Sequence, residues 1–161
     1  MPEFCGAVVE TSRFAENLDR AAEEVLGTMM GVGCDPVEEL REARGETISA
    51  VIGLAGTMSG SMVLHSGFRA ARRMTELMTG VAPEEIDGMV RDAVGEVCNM
   101  LAGAWKGRDA SLCAGCLLST PTVVAGSRYE LFSERAPVRI ERSYRFEDMT
   151  FTVTLFCELR A

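Results

Sequence analysis

The sequence predicts an α+β fold in two layers, a mostly antiparallel sheet packed with about three helices. Two observations carry that prediction. Three segments keep apolar residues at the 3.6-residue spacing of an amphipathic helix. Between and after them lie β-rich runs, several joined by turn-length stretches that suit antiparallel pairing. At 161 residues with 47% hydrophobic content, the chain is expected to form a single domain, residues 1–161, with a core of its own.

Taken in order, Ser12 stands where it can cap a helix whose apolar positions Phe14, Leu18, Ala21, Ala22, Val25 and Met29 follow the helical period, ending near Gly31 and Gly33. Residues 35–45 are charged and carry Pro36, and read as a connection with room for one helical turn. Residues 47–54 and 61–65 read as a strand pair across a Gly, Thr and Ser turn. Residues 68–78 return to helical spacing, and Gly80 is placed to end that helix. Pro83 opens the longest periodic segment, residues 83–108, with Ile86, Val90, Ala93, Val97, Leu101 and Ala104 on one face. Glu84 and Glu85 suit its first turn electrostatically. Strands are expected at 117–124, 128–132, 138–146 and 150–159, the last two forming a hairpin that turns at Glu147-Asp148-Met149.

The balance of charge narrows the function. A net charge of -8 offers no surface of the kind that neutralises phosphates along a nucleic acid, so nucleic acid is not expected as a partner. The densest basic cluster, Arg69, Arg72 and Arg73, falls at helical spacing and reads as a solvated helix face. No uncharged apolar run of about 18 residues is present, nor a basic leader followed by an apolar run, so neither a membrane span nor secretion is expected and the location is expected to be cytoplasmic. The six cysteines are then expected to be reduced thiols.

Within the long helical segment, Asp92, Glu96, Asn99 and Gly103 form a strip away from the apolar stripe, with Gly95 and Ala102 beside it. Side chains three apart on a helix lie about 5 to 6 Å from each other, so Glu96 and Asn99 can reach one partner group together. Gly88, Gly95 and Gly103 each cost a helix roughly 1 kcal/mol relative to alanine. Two reasons are open: another element of the same domain approaches closely, or a second protein lays its backbone there.

Glu96-Val-Cys-Asn-Met-Leu-Ala-Gly103 resembles the Glu-x-x-Asn-Met-x-x-Gly signature of the CheC, CheX and FliY phosphatases of bacterial chemotaxis. The acidic lead-in from Ile86 to Asp92, Lys106, and the stretch Ser119-Thr-Pro-Thr-Val-Val-Ala-Gly126 are also similar to CheX-type domains. A single motif, where CheC-like chains carry two in pseudo-symmetry, fits the CheX type. Ala104-Trp105 departs from the usual small or polar residue followed by alanine.

The resemblance implies a CheC/CheX-like fold and a phosphatase acting on the phospho-aspartate of a CheY-like receiver domain. An acyl phosphate is already activated, so its hydrolysis needs an oriented water and stabilised charge more than a strong base. By resemblance, Asn99 holds the attacking water in line with phosphorus, its amide both donating and accepting. Glu96 pairs with the receiver's active-site lysine, and Asp92, Gly95, Ala102 and Gly103 form the surface against which the receiver sits. No cofactor is expected on this chain; Mg²⁺ comes with the receiver. CheX-like proteins are dimers, and the edge offered by residues 139–146 suggests a homodimer through strand pairing.

Three other features compete. Cys113-Ala-Gly-Cys116 has the spacing of a redox pair or half a zinc site, but no second ligand-spaced pair accompanies it, and a helix precedes where a redox motif favours a preceding strand. The lone histidine, His65, reads as a structural residue on a strand. A rival of another class keeps the fold and drops the catalysis, as in FliM-type flagellar switch proteins, leaving an adaptor that only binds.

Overall fold

The computed structural model describes residues 3–38, 44–131, 133 and 136–159. Its α+β architecture is the expected one: a seven-stranded antiparallel sheet with helices packed on one face. The helix α1, Glu3–Val25, begins well before Ser12, because apart from Gly6 nothing in that stretch opposes helix. It runs into one wider turn, Leu26–Met30, closed by Gly31 in the left-handed conformation.

Residues 35–37 correct the expected connection. They form strand β1, Asp35–Val37, which pairs with the end of the long hairpin, Pro36 lying opposite Tyr144. Proline is tolerated there because β1 is an edge strand with one free side. The rest of the connection includes residues 39–43, outside the described residues.

Strands β2, Thr47–Gly56, and β3, Met58–Gly67, are longer than the period alone indicated and turn tightly about Thr57. Gly56 makes that turn possible: its φ is 94°, and a Cβ there would lie 2.1 Å from the Gly115 carbonyl oxygen. Helix α2, Phe68–Thr79, ends at Gly80 as expected, the Gly80 N–H donating to the Glu76 carbonyl at 2.8 Å.

Helix α3, Gly88–Gly107, starts one turn later than Pro83. Asp87 is its cap, accepting from the Val90 N–H at 3.0 Å, so Glu84 and Glu85 precede the helix rather than fill its first turn. A single extra turn, α4, Ala110–Cys113, follows, capped by Asp109.

Where one strand was expected over 117–124, two short ones lie in line along the same edge of β2: β4, Cys116–Leu118, and β5, Thr122–Gly126. Pro121 sits in the break, lacking a ladder N–H, and Ser119 bridges it, its Oγ accepting from the Gly53 N–H at 2.8 Å. The strand expected at 128–132 is absent over residues 128–131. Tyr129 instead folds its hydroxyl back to within 2.9 Å of Ser49 Oγ on the sheet. Phe132 lies outside the described residues.

The hairpin is β6, Val138–Phe146, and β7, Met149–Leu159, turning at Glu147 (φ 53°) and Asp148. The sheet order is β1-β6-β7-β3-β2, with β4 and β5 on the far side of β2. Strand alternation sends Ile48, Ala50 and Ile52, Met62 and Leu64, and Val153 and Leu155 into the helix-facing core.

Three polar attachments tie the layers. Arg73 grips Glu147 through two bonds of 2.9 Å each, so the basic cluster on α2 holds the hairpin turn rather than only facing water. Asp19 on α1 receives Arg142 at 2.9 and 2.6 Å and the Tyr144 hydroxyl at 2.7 Å. The Trp105 indole donates to the Phe14 carbonyl at 3.2 Å, and the two rings meet edge to face at 5.5 Å.

Candidate functional site

Helix α3 has three distinct sides. Val90, Val94, Val97, Leu101 and Trp105 point into the core, with Trp105 only 1% exposed. The unusual Ala104-Trp105 wording therefore anchors α1 and turns its bulk away from the motif strip. On the outer side Asp92, Glu96 and Gly103 are exposed and Asn99 is half-buried. Neither Glu96 nor Asn99 has a side-chain hydrogen bond to another described residue.

The third side settles the glycine question differently for each glycine. A Cβ on Gly95 would lie 3.4 Å from Pro121 Cγ and 3.5 Å from Val123 Cγ2, ordinary van der Waals contact, so the β4–β5 edge packs against α3 here and a side chain larger than a methyl would have to displace it. Ala102 is buried within its own domain, a correction to its expected place on the receiver-facing surface, whereas Gly95, also buried, lines the groove beside the strip. Around Gly103 nothing lies within 4 Å of a Cβ, so its side of the helix is open. Gly103, Asp92, Glu96 and Asn99 keep their places on the accessible strip; Ala102 lies beneath it.

Between α3 and β5 runs a groove of about 540 Å³ lined by Gly88, Arg91, Asp92, Gly95, Glu96, Pro121 and Val123. Sequence reasoning missed Arg91, Pro121 and Val123 as groove residues. The stretch 119–126 was conspicuous as wording, but only the fold brings Pro121 and Val123 against Gly95.

The remaining reactive groups lie elsewhere. Cys98, between the two motif residues in sequence, points inward and donates its thiol to the Ala50 carbonyl at 3.6 Å. Burial pushes that thiol up to about 12, so it is inert at neutral pH. Cys113 is exposed and Cys116 buried, and burial raises the Cys116 thiol. Among the described residues no group of three or more His, Cys, Asp or Glu side chains is placed to hold a metal ion. His65 is on the sheet face opposite the helices, its Nδ1 2.7 Å from Ser49 Oγ and its ring edge-on to Tyr129 at 5.9 Å. No helix among the described residues is long and apolar enough to cross a membrane.

Several solved structures share this arrangement. CheX from Vibrio vulnificus is 25% identical with a TM-score of 0.78, covering 90% of this chain and 96% of its own. CheX from Desulfovibrio desulfuricans is 26% identical with a TM-score of 0.75, covering 90% and 99%. Borrelia burgdorferi CheX, solved in complex with CheY, BeF₃ and Mg²⁺, shares the fold at 18% identity and a TM-score of 0.67, covering 90% and 97%. No curated protein matches the sequence. The family described as "Chemotaxis phosphatase CheX" matches residues 48–141, from β2 through α3 into β6. That span is more than half of the chain and contains the whole strip from Asp92 to Gly103: the protein belongs to the CheX chemotaxis phosphatase family.

Proposed function

We propose that this protein hydrolyses the phospho-aspartate of a CheY-like receiver domain, with Asn99 orienting the attacking water and Glu96 pairing with the receiver's active-site lysine. The observation that carries the reading is the state of those two side chains. They stand one helical turn apart on an accessible strip of α3, with no hydrogen-bond partner among the described residues. A carboxylate free of internal partners can accept a lysine ammonium, and a free amide can both donate to and accept from a water. The complex formed by the Borrelia relative supports a receiver as the partner.

The division of labour is simple. The receiver brings the acyl phosphate, its lysine and its Mg²⁺; this chain brings a carboxylate that sets the register and an amide that aims the water. Positioning of this kind is sufficient for a bond already activated toward attack. Decay of a panel of phosphorylated receivers, followed with wild type, Asn99→Ala and Glu96→Ala, tests the assignment. The first variant loses rate with binding retained, and the second loses engagement. A wild type that binds a receiver but leaves its lifetime unchanged is an adaptor, and the catalytic reading fails.

A homodimer through strand pairing belongs to the same proposal, with one change of detail. β1 already occupies the outer edge of β6 at Ser143 to Arg145, so the free edge runs from Val138 to Arg142. A monomer mass by light scattering at micromolar concentration overturns it.

A further inference from the structure

Arg91 borders the motif strip with no task inside its own domain. Arg13, Arg69, Arg73, Arg108, Arg139 and Arg142 each hold a carboxylate of this chain. The Arg91 side chain, exposed, makes no ion pair or hydrogen bond to any described residue; its backbone N–H donates to the Asp87 carbonyl at 3.1 Å. It lines the groove one turn ahead of Gly95, facing the apolar wall of Pro121 and Val123, and Glu96 lines the same groove. Five residues separate Arg91 from Glu96, about 7.5 Å along the helix axis. A partner that fills this groove while its lysine is gripped by Glu96 therefore comes within reach of Arg91.

The surrounding charge gives that position meaning. Glu84, Glu85, Asp87, Asp92 and Glu96 make this end of α3 acidic, in a chain of net charge -8. A second arginine at this end, Arg72, donates its Nε to the Pro83 carbonyl at 2.6 Å. Within the groove itself Arg91 is the one positive charge among the described lining residues, attracting an acidic group on a partner and repelling a basic one. We infer that Arg91 is a specificity-determining residue: it accepts a carboxylate of the receiver beside the phosphorylation pocket, while a small apolar side chain enters the groove against Pro121 and Val123. The pattern read by the helix is then lysine to Glu96 and carboxylate to Arg91. Receivers carrying a basic residue at the second point are rejected by like charge, so discrimination comes from repulsion as well as attraction. This inference rests on the phosphatase reading above.

Kinetics with the receiver that the wild type dephosphorylates fastest test it, using Arg91→Lys, Arg91→Ala and Arg91→Glu, each checked for an unchanged unfolding temperature. The expected result is a KM about tenfold higher for Arg91→Glu with kcat within about twofold, a smaller rise for Arg91→Ala, near wild-type behaviour for Arg91→Lys, and a weaker salt dependence of KM once the charge is gone. An Arg91→Glu protein with wild-type KM and salt dependence overturns the inference and leaves the phosphatase reading standing. If the wild type hydrolyses no receiver, binding of beryllium-fluoride-activated receivers replaces the kinetics. Affinity that falls with Arg91→Glu then upholds the charge reading without catalysis, and a wild type that binds none overturns both.

Discussion

Two carboxylate-bearing helix faces in this protein make opposite use of the same chemistry. On α1, Asp19 is surrounded by its own domain, both oxygens engaged by Arg142 and one of them also by the Tyr144 hydroxyl. On α3, Glu96 and Asn99 face outward with no side-chain partner among the described residues, although each is as capable of hydrogen bonding as Asp19. A polar side chain satisfied at home fixes the packing of layers. One left unsatisfied at a surface is available to another molecule, and the difference is visible only when every donor and acceptor is followed to its partner.

The comparison breaks most cleanly if the two faces trade effects. Asn99→Ala is expected to slow receiver dephosphorylation about 100-fold, since a misplaced water costs that order of rate, with no change in unfolding temperature. Asp19→Ala is expected to do the reverse. It leaves the buried Tyr144 hydroxyl without its acceptor and Arg142 without its carboxylate, a loss of about 2 kcal/mol that lowers the unfolding temperature by roughly 4 to 8 °C while activity per folded molecule is unchanged. Thermal unfolding and single-turnover decay on the same preparations read both quantities. A catalytic loss in Asp19→Ala at temperatures where it is folded would erase the distinction.

The glycines sharpen it on a smaller scale. Gly103 has open space on its side of α3, so Gly103→Ala is expected to gain up to about 1 kcal/mol of helix stability. Gly103→Leu is expected to weaken receiver engagement, because the added side chain stands on the strip proposed to receive the partner. Gly95→Leu acts by another route, since its Cβ alone would already touch Pro121 and Val123 and the rest of the side chain would press on them, and it is expected to lower the unfolding temperature. Denaturant midpoints together with receiver titrations of the three variants separate clearance from packing.

These cases also mark how far the sequence alone could be read. The segments 68–78 and 138–146 were legible because each carries a full period of its own structure, as was the strip on α3, because helical spacing is a local property. β1 was not, since three residues containing a proline become a strand only when the end of β6 lies beside them. The start of α3 was misread because Pro83 and two glutamates imitate a first turn, while the side chain of Asp87 is what satisfies the amides. The surroundings of Gly95 were not legible either, because the residues that pack against it, Pro121 and Val123, are brought from beyond the next turn of helix by the fold. Arg91 gave no signal at all: a lone exposed arginine acquires meaning only from the groove wall opposite and from the absence of a partner nearby.

His65 supplies the smallest effect and places a third polar group on the satisfied side of the comparison. Its Nδ1 meets Ser49 Oγ, and Ser49 Oγ meets the Tyr129 hydroxyl, which donates onward to the Val124 carbonyl at 3.3 Å. Charged neighbours line the same cleft, Glu130 from the loop and Arg139 and Glu141 from β6, yet burial alone pulls the histidine below its ordinary 6.5. The folded protein thus binds a proton here less readily than the unfolded chain. Stability from this site is complete above pH 6.5, falls as pH drops through that value, and levels off once the folded histidine also protonates. Carboxylates titrate in the same region, so the informative quantity is the difference between wild type and His65→Asn in urea midpoints from pH 7.5 to 5. The wild type is expected to lose more stability than the variant over that interval. Dephosphorylation by folded molecules is expected to show no such difference, because the histidine's partners lie on the sheet face that α3 does not cover.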